Sequence, residues 1–520
     1  MIGSTVDGKP CVTAEATASS PGVCRREQRQ LKKRQMRGRR AMIGIALVGL
    51  FGCDLAAEFS GRADEAGDAA VVHPVDVLEG CATPSISPSA RIFYVDPVKG
   101  DMRNDGSSAS PWRTVEEVIK AGLIATQRYT QPYQAGAALV PENAKGVVKA
   151  GDLIYLRSGE HGALNLFGAV NTDFITIAAE EGQTPVVSNV RLGGASKWII
   201  KGLTVQNTKV RLVDFVFHGF QGPTDNIVFE RNRVLSQPDV STWTAQDWVK
   251  DGALYGIFSQ ATCVTIRDNE LRNIRNGMGI SGDRTLIEGN VIDNFGDDGI
   301  DIAASRLALR GNRITNNHKL PDGNHNDGIQ GWTTNGAINR DVVIDGNVVI
   351  QSTDPALPFA GDMQGISVFD GKWENFQVTN NVVIANAWHG ITISGMHGAI
   401  ITNNTVVGNK PSITTWISVG NMKKDVGGAP PENVVVNNNI ATRFSFAKWG
   451  VDAHHNLTAG DPEDLFVTFD IAHARYDLHL SPQSRARGAG SPKNAPPTDI
   501  SGQPRVSPID AGAFASIGVR

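Results

Sequence analysis

A short β-branched segment followed by asparagine recurs through most of this 520-residue chain, and this repeat limits the possible folds more than any other feature. The segments are NIVFERNRV (226–234), CVTIRDNEL (263–271), TLIEGNVI (285–292), LALRGNRI (307–314), VVIDGNVV (342–349), FQVTNNVV (376–383), AIITNNTV (399–406) and VVVNNNIA (434–441), with equivalent residues Asn232, Asn269, Asn290, Asn312, Asn347, Asn381, Asn404 and Asn438. The closest neighbours, such as Asn269 and Asn290, are 21 to 23 residues apart, which is about one turn of a three-stranded solenoid. Wider separations indicate the same turn with a loop insertion.

This repeat predicts an all-β fold, a parallel β-helix made of three sheets. Coils that stack at about 4.8 Å place the same apolar position of every coil in one continuous core. Asparagine suits the recurring corner because its side chain bonds the backbone of the adjacent coil and tolerates a tight turn. The eight asparagines are therefore predicted to be structural. The segment TVEEVIKAGL (114–123), capped by Thr114, predicts a short helix that covers the N-terminal end of the solenoid.

A second repeated strand has the form x-Gly-Ile and predicts which side chains face solvent. In this strand isoleucine points inward and its neighbours point outward. Stacking gives one outward column of Tyr255, Asp298, Asp327, Gln364 and His389, and beside it a column of Phe258, Asp301, Gln330, Ser367 and Thr392. Insertions at 236–253, 316–325, 351–363 and 421–432 could wall a groove on this face, and the first of them carries Trp243 and Trp248.

The N-terminus predicts export. Arg37, Arg39 and Arg40 precede the apolar run 41–52 and Cys53, which is the pattern of a secretory signal. Twelve apolar residues are too few to span a bilayer as a helix. LFGC (50–53) resembles a bacterial lipoprotein processing site, which would place a lipid on Cys53; a plain signal peptide is the alternative. With the lipoprotein site, Met36 is a more natural start than Met1, and the protein is periplasmic, on the cell surface or secreted.

The signal, the repeat and the segments that flank the repeat divide the chain into four predicted parts. An export segment (1–53) precedes a flexible linker (54–90), the solenoid with its N-terminal cap (91–445) and a C-terminal capping region (446–520). Cys81 and Cys263 indicate no disulfide framework, and Cys263 lies in the apolar run CVTI, where it is predicted to be a small buried hydrophobe. A net charge of −4 gives no global field that attracts nucleic acid, so nucleic acid is not an expected partner. The chain is expected to be a monomer.

The opening IFYVDPVKGDMRNDGSSASPWRTV, the asparagine-cornered coils and the ending SPQSRARGAG with IDAGAF together resemble the right-handed parallel β-helix superfamily of carbohydrate-active proteins, which includes pectate and alginate lyases. GDDGID (296–301) is similar to the calcium-binding coil of family 9 polysaccharide lyases. That similarity implies that Asp297, Asp298 and Asp301 are calcium ligands. Those lyases add an aspartate from the preceding coil, where this chain has Asn276 and Gly277. Gln330 stands where they have the catalytic lysine.

Four aspartates are expected on one face of two adjacent coils. Asp298 and Asp327 occupy equivalent positions about 5 Å apart, so either one pKa rises and makes an acid/base pair, or a cation lies between the two carboxylates. Asp297 and Asp301 add further oxygens, and an oxygen-rich cluster suits Ca²⁺ rather than zinc. The alternative for each single aspartate is ordinary Asp-Gly turn chemistry.

A lyase also needs a base that removes the proton next to the uronate carboxylate. The candidates are His325, which is the first choice because it is near Asp327, then His389 and Lys372. The residues predicted to contact substrate are Asn326, Gln330, Trp332 and Gln364, with core packing as the alternative for Trp332.

The sequence thus predicts cation-assisted cleavage of an acidic, uronate-containing polysaccharide, with membrane contact only through the lipid. An inverting glycoside hydrolase and a non-catalytic glycan-binding lipoprotein are the alternatives.

Overall fold

The computed structural model describes residues 75–85, 87–208, 211–216, 220–334, 336–423 and 427–516. Thirty-five of the strands in these ranges form one continuous, almost entirely parallel sheet that winds as a three-sided solenoid. We call the three sides sheets A, B and C, in the order in which the chain visits them in each coil. None of the described helices is both long and apolar enough to span a membrane.

The strands of sheet A are Arg211–Val216, Ala253–Ser259, Ile300–Ile302, Asn326–Trp332, Met363–Asp370, His389–Ser394, Trp416–Gly420 and Arg443–Phe446. Sheet B holds Ile92–Val95, Leu153–Leu156, Asp225–Glu230, Thr262–Arg267, Thr285–Glu288, Leu307–Arg310, Ile338–Asp345, Lys372–Thr379, Met396–Thr402, Glu432–Asn437 and Val451–His454. Sheet C holds Gly159–Glu160, Pro185–Val187, Thr204–Gln206, Arg233–Leu235, Val291–Phe295, Arg313–Asn317, Val348–Ile350, Val382–Ala385, Thr405–Gly408, Ile440–Ala441 and Leu457–Thr458. Ala163–Ala179 and Asn189–Lys201 bend from A into B, and Glu270–Ile280 bends from C into A.

The remaining elements lie at the ends or in insertions. Thr126–Tyr129 and Leu139–Glu142 pair antiparallel at the N-terminal end, and Phe466–Asp470 and Arg475–Leu480 form a separate antiparallel pair. The helices are Val115–Lys120 and Ala245–Asp251, with a 3₁₀ turn at Pro462–Asp464.

The predicted asparagine corner forms a continuous ladder between sheets B and C. At each rung the carboxamide oxygen of one asparagine accepts two bonds from the asparagine before it: Asn312 Oδ1 accepts from the backbone N–H and from Nδ2 of Asn290, at 3.0 and 2.9 Å. The same Nδ2 also donates to Ile266 O. The ladder consists of Asn232, Asn269, Asn290, Asn312, Asn347, Asn381, Asn404, Asn439 and Asn456.

One predicted member of this ladder was wrong. Asn404 bonds Asn439, not Asn438. Asn438 adopts a left-handed backbone (φ 57°) and turns its side chain toward the C-terminal segment at Ser491. The run Asn437–Asn439 offers three candidates, and the number of residues in the turn, which the sequence pattern does not reveal, selects the third. Asn456 extends the coils past the predicted end at 445.

The glycine of the x-Gly-Ile motif is required by the close stacking of the coils. A Cβ on Gly277 would lie 2.2 Å from the carbonyl oxygen of Gly299, and one on Gly365 would lie 2.2 Å from that of Gly390. The isoleucine that follows is fully buried in the core, as at Ile300. The motif therefore fixes the inward side of sheet A and leaves its flanking residues outside.

The N-terminal end agrees with the predicted cap. Thr114 caps the helix Val115–Lys120, and its hydroxyl accepts the N–H of Glu117. Val115 and Val118 are buried in the solenoid core. Residues 446–516 differ from a simple end cap, because Phe466, Leu478 and Ala511 pack with Ile384 and Ile440 over the outer face of sheet C.

The expectation for the cysteines was wrong. Cys81 and Cys263 form a disulfide with Cα atoms 5.5 Å apart. Cys263 lies at a corner with φ 55° and is partly exposed, so its side chain leaves the core. Val77 packs with Ala308 and Val343 on the outside of sheet B. The end of the predicted flexible linker is therefore fixed to the solenoid, while residues 54–74, Met36 and Cys53 lie outside the described residues.

Candidate active site on sheet A

Backbone pairing in sheet A places the predicted outward positions in register, with one coil more than the sequence columns contained. Asn276 lies between Tyr255 and Asp298, and Gly279 between Phe258 and Asp301. The first column therefore runs Arg211, Tyr255, Asn276, Asp298, Asp327, Gln364, His389, Trp416 and Arg443. The second runs Asp214, Phe258, Gly279, Asp301, Gln330, Ser367, Thr392, Ser418 and Ser445. We call the first of these the face column.

The extra coil carries a glycine that shapes the site. A Cβ on Gly279 would lie 2.8 Å from the Tyr255 ring, so only glycine leaves room for that ring. The Tyr255 hydroxyl crosses this coil and donates to Asp301 Oδ2 at 3.2 Å. Burial and the negative charge of Asp301 raise the pKa of Tyr255, which keeps the phenol protonated as a donor.

Asp298, Asp301 and Asp327 form a buried cluster; each side chain is hidden although the face around it is open. Asp298 Oδ1 accepts the backbone N–H of Asp327 at 2.8 Å, and its Oδ2 accepts Asn324 Nδ2 at 3.0 Å. Oδ1 of Asp301 and Oδ1 of Asp327 are buried and have no hydrogen-bond partner among the described residues. We call these three residues the carboxylate cluster.

Asp298 and Asp301 hold their protons unusually tightly. Burial raises the pKa of Asp301 to about 7, and the charge of Asp327 adds to the effect. Burial, followed by the charges of Asp301 and Asp327, raises the pKa of Asp298 well above its usual range. Three ionised carboxylates at this point would need compensation by protons or by a cation.

Asp297 does not join the cluster as predicted. Arg275 Nη2 pairs with Asp297 Oδ2 at 2.8 Å and with Asp322 Oδ2 at 2.7 Å. Burial nevertheless raises the pKa of Asp297 to about 6. Arg275 thus compensates part of the charge of Asp297, while Oδ1 of Asp297 is buried and unpaired like those of Asp301 and Asp327. The carboxylate cluster is defined without Asp297 because of this arginine pair.

The residues of the cluster fit a hard cation in chemistry. The donor atoms are carboxylate oxygens, and two of them, Oδ1 of Asp301 and Oδ1 of Asp327, are unpaired and buried. Among the described residues, no three acid, histidine or cysteine side chains converge in a ready coordination shell. Binding would therefore require the side chains of the cluster to turn toward a common centre.

His325 and His389 both lie beside the cluster and differ in environment. His325 Nδ1 bonds Asp327 Oδ2 at 2.8 Å, and this bond raises the pKa of the half-exposed imidazole. His389 Nδ1 bonds Thr392 Oγ1 at 2.9 Å, and its ring contacts Phe369 and Trp416 at 5.4 Å. Burial lowers the pKa of His389.

Lys372 and Trp332 are not brought to the cluster. Lys372 begins a strand of sheet B, where it pairs with Ile338 and is exposed. It lies around a corner from the face column. Trp332 ends its strand five residues after Asp327 and pairs with Asp370. Lys372 therefore lies outside sheet A, and Trp332 lies at the end of its strand, away from the cluster.

The predicted amide contacts divide in two. Gln364 and Gln330 occupy the two outward columns as expected, and Gln364 Oε1 accepts the Ser367 hydroxyl at 3.0 Å. Asn326 instead is 1 % exposed, and its Nδ2 donates to Gly296 O, Asn317 Oδ1 and His318 O. Those bonds fix the 316–325 loop from below, so the expectation that Asn326 contacts substrate was wrong.

The insertions contribute unequally to this face. The 316–325 loop supplies Asn324 and His325, and Lys423 comes from the 421–432 insertion. The 236–253 and 351–363 insertions meet at His318, which contacts the buried Trp248 ring at 4.7 Å and the Pro358 carbonyl at 2.6 Å. These two insertions line a cleft with Trp243 over sheet C rather than the groove of sheet A.

Sequence reasoning missed several residues of the face column and its rim: Asn324, Trp388, Trp416, Lys423 and Arg443. Trp416 and Arg443 belong to coils that lack the Gly-Ile signature. The signal that could have found them is the spacing, because Trp416 lies 27 residues after His389 and Arg443 lies 27 residues after Trp416.

Comparison with known proteins agrees with this architecture. Residues 255–440 match the family model described as "Right handed beta helix region". The chain is a right-handed parallel β-helix. This agrees with the fold expected from the repeat and the resemblance.

The chain is also similar to several solved structures, at low sequence identity. The chain is similar to pectate lyase Pel9A (16 % identity, 85 % of this chain and 100 % of that chain, TM-score 0.40). It is similar to a rhamnogalacturonan lyase (15 %, 76 % and 96 %, TM-score 0.34) and to PfbA, a surface adhesin of Streptococcus pneumoniae (11 %, 60 % and 79 %, TM-score 0.33). No curated protein matches the sequence. Activity must therefore be argued from the site itself.

Proposed function

We propose that this β-helix is a polysaccharide lyase that cleaves a uronate-containing polysaccharide by β-elimination on sheet A. The observation that carries the proposal is the alignment of the carboxylate cluster with Gln364 and His389 on successive coils of one open face. Such a column supplies, within about 10 Å, a place to neutralise a uronate carboxylate and a group that accepts a proton.

His389 is the proposed base, in place of the first choice His325. Burial lowers its pKa, so the imidazole is neutral near pH 7 and can accept a proton. Thr392 holds Nδ1, and the other ring nitrogen makes no hydrogen bond among the described residues. His325 is less suited, because its bond to Asp327 favours the protonated form.

The reaction then balances as a single elimination. His389 takes the proton from the carbon next to the uronate carboxylate, the released electron pair forms the carbon–carbon double bond, and the glycosidic C–O bond at the neighbouring carbon breaks. The departing oxygen takes a proton from solvent water, and His389 returns its proton to solvent, so the proton count balances. The products are an unsaturated uronate end and a new hydroxyl end, so no water is consumed.

Asp298, Asp301 and Asp327 are the residues that would hold a calcium ion. When bound, it would neutralise the uronate carboxylate and acidify the adjacent proton. The two buried, unpaired carboxylate oxygens support this assignment. Gln364 and Gln330 are placed to bond sugar hydroxyls on either side of the cluster.

The test is the chromophore of the unsaturated product. Pectate, alginate and other polyuronates are incubated with the protein, with added Ca²⁺ or with EDTA, and absorbance near the ultraviolet band of the new double bond is followed. We expect product with at least one polyuronate, at least 100-fold less with His389→Gln, and loss with EDTA. Absence of product across the panel would overturn the proposal.

An inverting hydrolase on the same aspartates is less well supported. Such enzymes leave about 6.5 to 9.5 Å between carboxyl groups for a water molecule. Here Asp298 and Asp327 occupy equivalent positions on adjacent coils, and the coil spacing of about 4.8 Å is shorter than that range. New reducing ends without the chromophore would favour the hydrolase.

Export is proposed alongside this activity. The disulfide between Cys81 and Cys263 is supporting evidence, because disulfides persist in oxidising compartments outside the cytosol. We expect the mature chain to begin at Cys53 with a lipid attached, and mass spectrometry of the N-terminal peptide from membrane fractions tests this. An unlipidated N-terminus near residue 53 would indicate a plain signal peptide instead.

A further inference from the structure

The face column continues past His389 into an aromatic and cationic patch. Trp416 pairs with His389 on the next coil, and Arg443 pairs with Trp416 on the coil after that. Trp388, which directly precedes His389, stacks on Trp416 with ring centroids 6.3 Å apart and an angle of 25° between planes. We call Trp388, Trp416 and Arg443 the Trp-Arg patch. It lies in line with the carboxylate cluster but outside it.

The Trp416 ring is held in place by a hydrogen bond, and the Trp388 ring stacks on it. Trp416 donates its indole N–H to Thr392 Oγ1 at 3.1 Å and its backbone N–H to the Trp388 carbonyl at 2.9 Å. Trp388 is nevertheless 58 % exposed, which is unusual for so large an apolar side chain. A rigid, exposed ring loses little conformational entropy on binding, and this favours a role in recognition over one in packing.

The cation of the patch has no acidic partner. The Arg443 guanidinium lies 6.0 Å from the Trp416 ring, and no carboxylate in the described ranges is within ion-pair distance of it. At the opposite end of the face column the arrangement differs, because Arg211 pairs with Asp214 and stacks on Phe258 at 3.7 Å. Only the Arg443 end therefore offers an exposed positive charge beside open aromatic rings.

This combination fits one kind of ligand. The apolar face of a pyranose ring packs on an indole, and a guanidinium binds a carboxylate through two parallel hydrogen bonds. We infer that the Trp-Arg patch is a binding subsite for an acidic sugar residue of the polysaccharide, distinct from the sugar at the carboxylate cluster.

This subsite rests on the proposed function, and it adds the direction in which the polysaccharide lies on sheet A and the length of polymer that the face column binds. At about 4.8 Å per coil, Arg443 lies roughly 19 Å from Asp327, four coils along the solenoid axis. A polymer bound at both places runs along the axis, across the strands. Short oligosaccharides that occupy the cluster cannot also reach Arg443.

Binding without turnover tests the subsite directly. Affinity electrophoresis or calorimetry with EDTA present uses two probes, a polyuronate and the same polymer with its carboxyl groups reduced to alcohols. We expect Trp388→Ala to weaken binding of both probes by about tenfold. Arg443→Gln should weaken binding of the acidic polymer by about tenfold and leave that of the reduced polymer unchanged.

Two variants serve as matched controls. Trp449 is 70 % exposed and contacts Lys448, but it lies in the turn after the last strand of sheet A, so Trp449→Ala should bind both probes as the wild type does. Arg313 is exposed on sheet C, and Arg313→Gln should likewise have no effect. Unchanged melting temperatures of all four variants show that the fold is intact.

Several results would overturn the subsite. The subsite is ruled out if Trp388→Ala and Arg443→Gln bind both probes as tightly as the wild type, or if Trp449→Ala weakens binding as much as Trp388→Ala does. It is also ruled out if Arg443→Gln weakens binding of the two probes equally, or if the wild type binds no polyuronate. The proposed lyase activity can fail separately. If both patch variants lose binding but the wild type forms no unsaturated product, the protein has an acidic-glycan subsite and is not a lyase. Product formation with an unchanged KM for long polymer in both variants would remove the subsite alone.

Discussion

The asparagine ladder and the carboxylate cluster are both stacks of polar side chains on successive coils, and they show opposite ways of burying polar atoms. In the ladder each carboxamide is both donor and acceptor, so Asn290 satisfies its neighbours on both sides at 2.9 to 3.0 Å. In the cluster each carboxylate only accepts, and buried oxygens of Asp301 and Asp327 remain unpaired. Repetition therefore stabilises the first stack and costs free energy in the second.

This contrast separates structural from functional polar residues without any alignment. A buried residue that continues a self-complementary pattern is explained by the fold. Three buried acids on adjacent coils are not, because the charges of their neighbours raise the pKa of Asp298 and Asp301. Strain of this kind concentrates where chemistry or ligand binding compensates for it.

Removing one rung of the ladder should cost the most stability. Asn290→Ala leaves the backbone N–H and Nδ2 of Asn269 without their acceptor and the Ile266 carbonyl without its donor. We expect the free energy of unfolding to fall by about 3 kcal/mol, because these groups are fully buried. Urea unfolding followed by circular dichroism measures the change.

The control for the ladder is an asparagine outside it. Asn189 is half-buried and makes one weak side-chain bond, to Ser188 Oγ at 3.4 Å. Asn189→Ala should change the free energy of unfolding by less than about 0.5 kcal/mol. Equal losses in the two variants would contradict the special role of the ladder.

Calcium should act on the cluster alone. If Asp298, Asp301 and Asp327 bind the cation only in the folded protein, Ca²⁺ at 100 times its dissociation constant should stabilise the fold by about 2.7 kcal/mol. Asp301→Asn should reduce this stabilisation strongly, whereas Asp293→Asn, an aspartate of sheet C paired with Arg272, should retain it. Melting curves of the wild type and both variants, recorded with Ca²⁺ or EDTA, test this. An equal shift of the melting temperature in all three proteins would mean that the ion binds elsewhere.

Most of the fold could be predicted from the sequence because the repeat has a physical period. The x-Gly-Ile motif fixed which side of sheet A faces inward, and the outward residues Asp301, Gln330 and Ser367 align as expected. The errors arose where a pattern gave several equivalent choices. Each asparagine of the run Asn437–Asn439 could occupy the ladder position, and only the number of residues in the turn selects Asn439.

The site was less predictable because it depends on contacts between distant segments. Nothing near Cys81 in the sequence indicates Cys263, from which it is 182 residues distant. The sequence around Asn326 is compatible with an exposed side chain, but hydrogen bonds to Gly296 and His318 turn its carboxamide inward. Arg275, outside every motif, neutralises Asp297 and so changes which aspartates belong to the cluster.

The smallest effect should be a gain in stability from removing one charge of the cluster. The pKa of Asp301 is about 7 in the folded protein, mainly through burial, and 3.8 is its usual value. The folded state thus binds more protons than the unfolded state between these values, so this group lowers stability as pH rises from about 4 to 7. Asparagine can still accept the Tyr255 hydroxyl but carries no charge.

The stability of Asp301→Asn should therefore match that of the wild type near pH 4, where Asp301 is protonated in the folded state, and exceed it by about 1 kcal/mol at pH 8 in EDTA.

The corresponding substitution of Asp293 should change stability in the opposite direction. Burial alone would raise its pKa, but bonds from Arg272, Thr315 and Asn316 outweigh burial and lower it. Asp293→Asn should therefore be less stable than the wild type throughout about pH 5 to 8, with the deficit disappearing only as pH falls below about 4. Urea midpoints from pH 4 to 8 measure both series. If Asp301→Asn were less stable than the wild type at pH 8, the buried acids would be stabilising the fold in the way the asparagines do, and the contrast between the two stacks would fail.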